Sequence, residues 1–100
     1  MSELCTLTVD SLENVIHLSG KLTFASVTDI LEKTDSVFDS FSEINIDLTD
    51  VTRGDSAGLA LLVHWLRQAR NSDKKITFNN IPSNMVAIAD VSGLKELLPI

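Results

Sequence analysis

Basic residues are scarce: eight Lys and Arg stand against fourteen Asp and Glu, for a formal charge of −6. They are also scattered, with Lys74-Lys75 the one adjacent pair, so there is no stripe to track a polyanion. That balance weighs against nucleic acid or anionic lipid as a direct partner. Cysteine occurs once, as Cys5, which excludes an internal disulfide and fits a reducing cytoplasm. The two histidines, His17 and His64, stand apart, and no Cys/His cluster has the spacing of metal ligands. No run approaches the roughly 18 apolar residues of a membrane span; 59–63, as long as any, ends at His64. Met1-Ser2-Glu3 lacks the basic region and apolar core that begin a signal peptide. A Gly-Lys-Ser/Thr phosphate loop is absent too, so any ATP chemistry would belong to a partner. These absences imply a cytoplasmic chain with no metal, no cofactor and no inserted membrane segment.

What is present suffices for one core: 100 residues, 44% hydrophobic. Four segments alternate with a period of two, namely Cys5/Leu7/Val9, Ile16/Leu18, Ile44/Ile46/Leu48 and Ile76/Phe78, each interleaved mostly with polar residues. Strands covered on both faces read as continuous apolar runs, so this alternation predicts a sheet with its helices mainly on one face. The polar 11–14 between the first two strands reads as a hairpin turn. Three segments follow the helical period: 26–39 with Val27, Ile30, Leu31, Val37 and Phe38 on one face, 56–70 with Leu59, Leu62, Val63, Leu66 and Ala69, and a third opening at Pro82 and stopped by Ser92-Gly93. An apolar tail, 94–100, is expected to pack back on the body. The order β-β-α-β-α-β-α predicts a single α/β domain over residues 1–100 with a four-stranded mixed sheet.

One stretch concentrates the chemistry. The apolar strand ending at Leu48 runs into a polar turn, Thr49 to Arg53, and then into Gly54-Asp55-Ser56-Ala57-Gly58-Leu59 at the start of the second helix. A hydroxyl there lies beside unpaired backbone N–H groups and the positive end of the helix dipole. The letters match the G-x-S-x-G nucleophile elbow. A hydrolase serine needs a histidine within hydrogen-bond reach, however, and His64 is eight residues up the same helix, about 12 Å along the axis. No catalytic residue is therefore assigned. Asp55 is a strong N-cap type, which leaves Ser56 as the first helical residue. Gly58 costs about 1 kcal/mol relative to Ala inside a helix, so something approaches that backbone closely, either the domain's own sheet or another protein. Ser56 is also a candidate phosphoacceptor, because a phosphate would be favoured at a helix N-terminus.

The second helix carries more apolar surface than its core stripe uses. Trp65, the single Trp, lies outside that stripe with Leu61. The pair is either an exposed anchor for a partner or buried against a neighbouring helix. His17 reads as an ordinary surface histidine on the polar sheet face.

Asp47-Leu48-Thr49 followed by Asp55-Ser56-Ala57-Gly58-Leu59 resembles the STAS family, in which a strand ends in Asp-Leu-(Ser/Thr) and a turn leads to Asp-(Ser/Thr)-x-Gly-Leu opening a helix. The element order resembles the STAS fold over nearly the whole chain. Within the family, Leu59-Ala60-Leu61-Leu62-Val63-His64 is most similar to the small STAS subunits of Mla-type phospholipid ABC transporters. That resemblance implies a non-enzymatic cytoplasmic subunit, peripheral to the inner membrane, which binds an MlaF-like ATPase subunit in a permease complex and supports its assembly and activity. The expected contact comprises Thr52, Arg53, Ser56, Ala57, Gly58, Leu61 and Trp65. A serine at position 56 also resembles the phosphorylated serine of anti-sigma factor antagonists, which implies as the alternative a switch operated by an anti-sigma kinase.

Overall fold

The structure, a computed structural model, describes residues 5–98. Four strands form one sheet in the order β1-β2-β3-β4: β1 (Cys5–Asp10), β2 (Val15–Leu22), β3 (Glu43–Gly54) and β4 (Lys75–Asn79). β1 and β2 are antiparallel, whereas β2, β3 and β4 run parallel, so the sheet is mixed as the element order predicted. The parallel connections carry α1 (Val27–Ser40) and α2 (Ser56–Asn71), and α3 (Ser83–Val91) follows β4. A short 3-10 turn, Lys95–Leu97, comes last.

The alternation decides which face is covered. Ile16, Leu18, Ile44, Ile46, Leu48, Ile76 and Phe78 are buried beneath the helices. Thr6, Thr8, Ser19 and Asn79 are exposed on the other face. Leu98 is buried and Leu94 half-buried, so this part of the tail packs on the body as expected; Pro99 and Ile100 lie outside the described residues.

Three boundaries differ from the sequence expectation. The polar 49–53 is not a turn: β3 continues to Gly54, pairing with β2 as far as Leu22 through two register shifts. Those irregularities bury Val51 among polar neighbours and hide the strand from a period-two reading. Ser26 precedes α1 rather than opening it. Its Oγ donates to Lys21 O at 2.7 Å and accepts from Thr23 N at 3.0 Å, which fixes the β2–α1 corner. Pro82 likewise stands one residue before α3, with ψ of 141°, and its carbonyl accepts from Met85 and Val86 N–H.

The buried face of α2 is wider than its stripe. It includes Gly58, Leu61 and Trp65 as well as Leu59, Leu62, Leu66 and Ala69, while Val63 is only half-buried. α2 packs on the sheet with α1 against one flank and α3 against the other, so three sides of the helix are covered.

Candidate functional site

The β3–α2 junction is held by small residues and one carboxylate. Gly54 ends β3 where a Cβ would stand 2.1 Å from Met85 Sδ, so the absent side chain lets α3 close over the strand end. Asn84 Nδ2 donates to the Gly54 carbonyl from the same helix. Asp55 then turns the chain with extended backbone, φ −126° and ψ −169°, and its N–H donates to Leu22 O at 3.3 Å.

Asp55 caps α2. Oδ1 accepts from Ala57 N at 2.9 Å and Gly58 N at 3.1 Å, two of the donors that a helix start leaves orphaned. Oδ2 accepts from Phe24 N at 3.1 Å, so the same carboxylate ties the β2–α1 corner to the start of α2. Partial burial on its own would raise the Asp55 pKa. The three amides, with the Arg53 charge nearby, outweigh it and hold the carboxyl below its ordinary value.

Ser56 is the first residue of α2 and is exposed. Its hydroxyl makes no hydrogen bond within the described residues. Ala57 beside it is half-buried. Thr52 and Arg53 are exposed on the preceding strand, where Thr52 Oγ1 donates to Gly20 O at 3.2 Å. Ser56 and Ala57 thus follow Thr52 and Arg53 within five positions of the chain, on either side of Gly54 and the Asp55 cap.

Gly58, Leu61 and Trp65 are buried. A Cβ on Gly58 would stand 2.4 Å from Leu22 O, so the close approach belongs to the domain's own sheet. Leu61 is 5% exposed and Trp65 fully buried. The Trp65 ring lies 5.8 Å from Phe38 at an angle of 37°, and its Nε1 donates to Thr34 Oγ1 at 3.3 Å. Thr34 Oγ1 in turn donates to Leu31 O at 2.9 Å, so a buried hydroxyl on α1 supplies the acceptor the indole needs. Trp65 is thus a core residue binding α2 to α1 and is withdrawn as a surface anchor.

A groove instead begins at Ala57, the residue after Ser56. Val27, Thr28 and Leu31 of α1 face Ala57, Ala60, Leu61 and His64 of α2 across a cavity of about 370 Å³. Phe24 stands at its mouth with 84% of its surface exposed. Sequence reasoning passed over Phe24, although an aromatic between Thr23 and Ala25 in a polar corner is a legible sign of an exposed contact.

His17 is not an isolated surface histidine. Its Nδ1 lies 3.0 Å from Asp47 Oδ2 across the β2–β3 pair. Asp47 Oδ1 accepts from Thr49 N at 3.1 Å and Thr49 Oγ1 at 2.5 Å, and Asn80 Nδ2 donates to Thr49 Oγ1 at 2.9 Å. Hydrogen bonding from Thr49 is the main reason the Asp47 pKa is lowered; Asn80 and His17 add to it against a smaller opposing effect of burial. The cluster ties β2, β3 and the β4–α3 loop together on the open sheet face. It engages the ring of His17 there, while His64 lies eight residues up the helix, so neither histidine stands ready as a base for Ser56. Among the described residues no group of His, Cys, Asp and Glu could hold a metal ion, and no helix is long and apolar enough to cross a membrane.

A four-stranded mixed sheet with helices on one face and a hydroxyl opening the helix after the third strand defines the STAS fold. A family model described as "Mlab, STAS domain" matches residues 5–99, and the chain belongs to the STAS-domain family. The anti-sigma-B factor antagonist of Bacillus subtilis (strain 168) is 22% identical over 85 residues, which are 85% of this chain and 78% of that protein. An anti-sigma factor antagonist from Mycobacterium paratuberculosis superposes with a TM-score of 0.78 at 19% identity, over 99% of this chain and 86% of that one. The anti-sigma factor antagonist SpoIIAA in its unphosphorylated form gives a TM-score of 0.72 at 18% identity, over 93% and 85% of the two chains. At these identities the likeness to the solved structures is one of fold.

Proposed function

We propose that this STAS domain is a non-catalytic docking module that binds a partner protein through the start of α2, with Ser56 at the centre of the contact and Thr52, Arg53 and Ala57 around it. The observation that carries this reading is the division of labour at the helix start. Asp55 already caps α2, so the exposed Ser56 hydroxyl has no structural duty there. Gly58, Leu61 and Trp65 support the surface from beneath. A phosphate on Ser56 would bring about −1.5 to −2 charge to this spot, and so would alter docking there.

Two partners suit such a surface, and each has separate support. The named relatives favour an antagonist of the anti-sigma type, with Ser56 the phosphoacceptor of an anti-sigma kinase. The description of the matching family, with the segment Leu59 to His64, supports the ATPase subunit of an Mla-type phospholipid ABC transporter as partner; in this reading the chain works in the cytoplasm at the inner membrane. The relatives give the antagonist reading the broader support.

Co-purification of the tagged chain from its native host, with intact mass measured on the same material, separates the two. A serine kinase in the eluate and a phosphorylated fraction that Ser56→Ala abolishes are expected of the antagonist. An ABC ATPase with its permease and no phosphate is expected of the transporter subunit. If Ser56→Glu retains every partner at wild-type yield, the docking surface is misplaced and both readings fall.

A further inference from the structure

We propose that the groove between α1 and α2 receives an amphipathic helix of the partner protein, its apolar stripe seated in the groove and its lysines or arginines lying along α1. The proposal rests on the reading of Ser56 as the docking centre, and it names the chemistry of what docks.

The lining favours a helix over a strand or loop. Apart from the Thr28 hydroxyl and the His64 ring, the side chains lining the groove are hydrocarbon. Its walls are two helices, whose backbone groups are already spent on their own hydrogen bonds. An extended segment lying there would find no partners for its amides, whereas a helix satisfies them internally. Ala57 and Ala60 keep the α2 wall low, which lets a second backbone come close. From Ala57 to His64 the wall runs two turns, about 10 Å, the reach of apolar anchors spaced i, i+3/i+4, i+7. Phe24 supplies an aromatic cap at one end, on a backbone pinned by Asp55.

Charge selects the flank. Thr28, Glu32, Asp35 and Asp39 recur at intervals of four, three and four, so they form one stripe on the shoulder of α1 beside Leu31. All four are exposed. The ion pair of α1, Asp29 with Lys33 at 3.1 Å, lies elsewhere on the helix, and Glu32, Asp35 and Asp39 form none among the described residues. An apolar groove with an acidic shoulder is complementary to an apolar stripe edged with basic residues. It is equally a barrier to anionic lipid. A second copy would bring the same negative stripe.

The test places the photocrosslinker p-benzoylphenylalanine at position 24 or at position 60 of the full chain, irradiates cells of the native host, and sequences the crosslinked peptides. Both positions are expected to mark one protein, on a segment with apolar residues at helical spacing and at least two adjoining Lys or Arg. Adducts to a segment without basic residues, to lipid or to a second copy would overturn the proposal, as would the absence of adducts at both positions. Binding of the marked protein to Glu32→Lys/Asp35→Lys should then be weakened by about tenfold at low salt, with the loss shrinking at high salt. Unchanged affinity refutes the charge assignment. If the crosslinks hold while Ser56→Glu binds as wild type, the groove stands and Ser56 is not the docking centre. If Ser56→Glu abolishes binding but the crosslinks fail, the docking centre stands and the groove is refuted.

Discussion

Replacing Gly58 by Ala sets two effects of opposite sign against each other, and the structure decides which wins. Inside a helix the change is worth about 1 kcal/mol of stability in favour of Ala. At this position the new methyl would stand 2.4 Å from Leu22 O and 3.2 Å from Leu22 Cγ. The nearer atom is backbone, in the last residue of β2, and its carbonyl also accepts from Asp55 N–H at 3.3 Å. Neither side can rotate away, so α2 or the strand end must shift and the bond to Asp55 lengthens. Overpacking of this kind costs typically 1–3 kcal/mol, and contact with backbone places the cost toward the top of that range. The expected net effect of Gly58→Ala is a loss of about 1–2 kcal/mol, or roughly 5–15 °C in melting temperature for a domain of this size. Thermal and urea unfolding followed by circular dichroism measure it. Ala60→Gly, on the exposed side of the same helix, is the reference for propensity alone and should cost about 1 kcal/mol. If Gly58→Ala melts at or above the wild-type temperature, α2 does not touch β2 as described. The explanation of Gly58 would then pass from the domain's own sheet to a partner.

Asp55→Ala removes an acceptor serving three amides and should destabilise the fold by about 1–2 kcal/mol at neutral pH. Because the folded-state pKa of Asp55 is lowered, its contribution is complete above the ordinary carboxylate value of about 3.9 and is lost as pH falls through the lower folded value. Urea unfolding from neutral pH down to about pH 2, within the roughly pH 5 to 1 range where a lowered carboxylate gives up its contribution, should show the variant approaching wild type at the acid end, and a gap that stays constant would contradict the cap. Thr34→Val leaves the Trp65 indole N–H unpaired in the core and should cost about 1–3 kcal/mol. In the Trp65→Phe background, where no indole needs an acceptor, the same change should cost clearly less, and equal costs would deny the Trp65–Thr34 bond.

Much of the architecture was legible in the sequence because it depends on local periodicity. Period-two alternation in four segments marked four strands with one covered face, and the helical stripes marked three helices in their observed order. The Asp55 position was legible too, since an N-cap is a matter of residue type at a helix start. What local pattern could not supply was the number of neighbours each helix has. A stripe of Leu59, Leu62, Val63, Leu66 and Ala69 defines one buried face, yet α1 and α3 cover two further flanks of α2. That burial takes in Leu61 and Trp65, and Thr34, thirty-one residues from Trp65, satisfies the indole. The continuation of β3 through Thr49 to Gly54 was hidden because register shifts break the alternation.

The sequence alone determined that this chain folds as an acidic α/β domain and that a serine opens its second helix, since composition, period and capping are properties of neighbouring residues. Tertiary structure alone decided what that serine's surroundings are. Gly58 is consumed by contact with β2, Trp65 by contact with α1, and His17 by Asp47 on the opposite face. Ser56 is left exposed next to Ala57, which lines an apolar groove with Phe24, a residue thirty-two positions from Ser56 in sequence. Such juxtapositions come from the closing of chain loops around a shared core, and no pattern within one element records them.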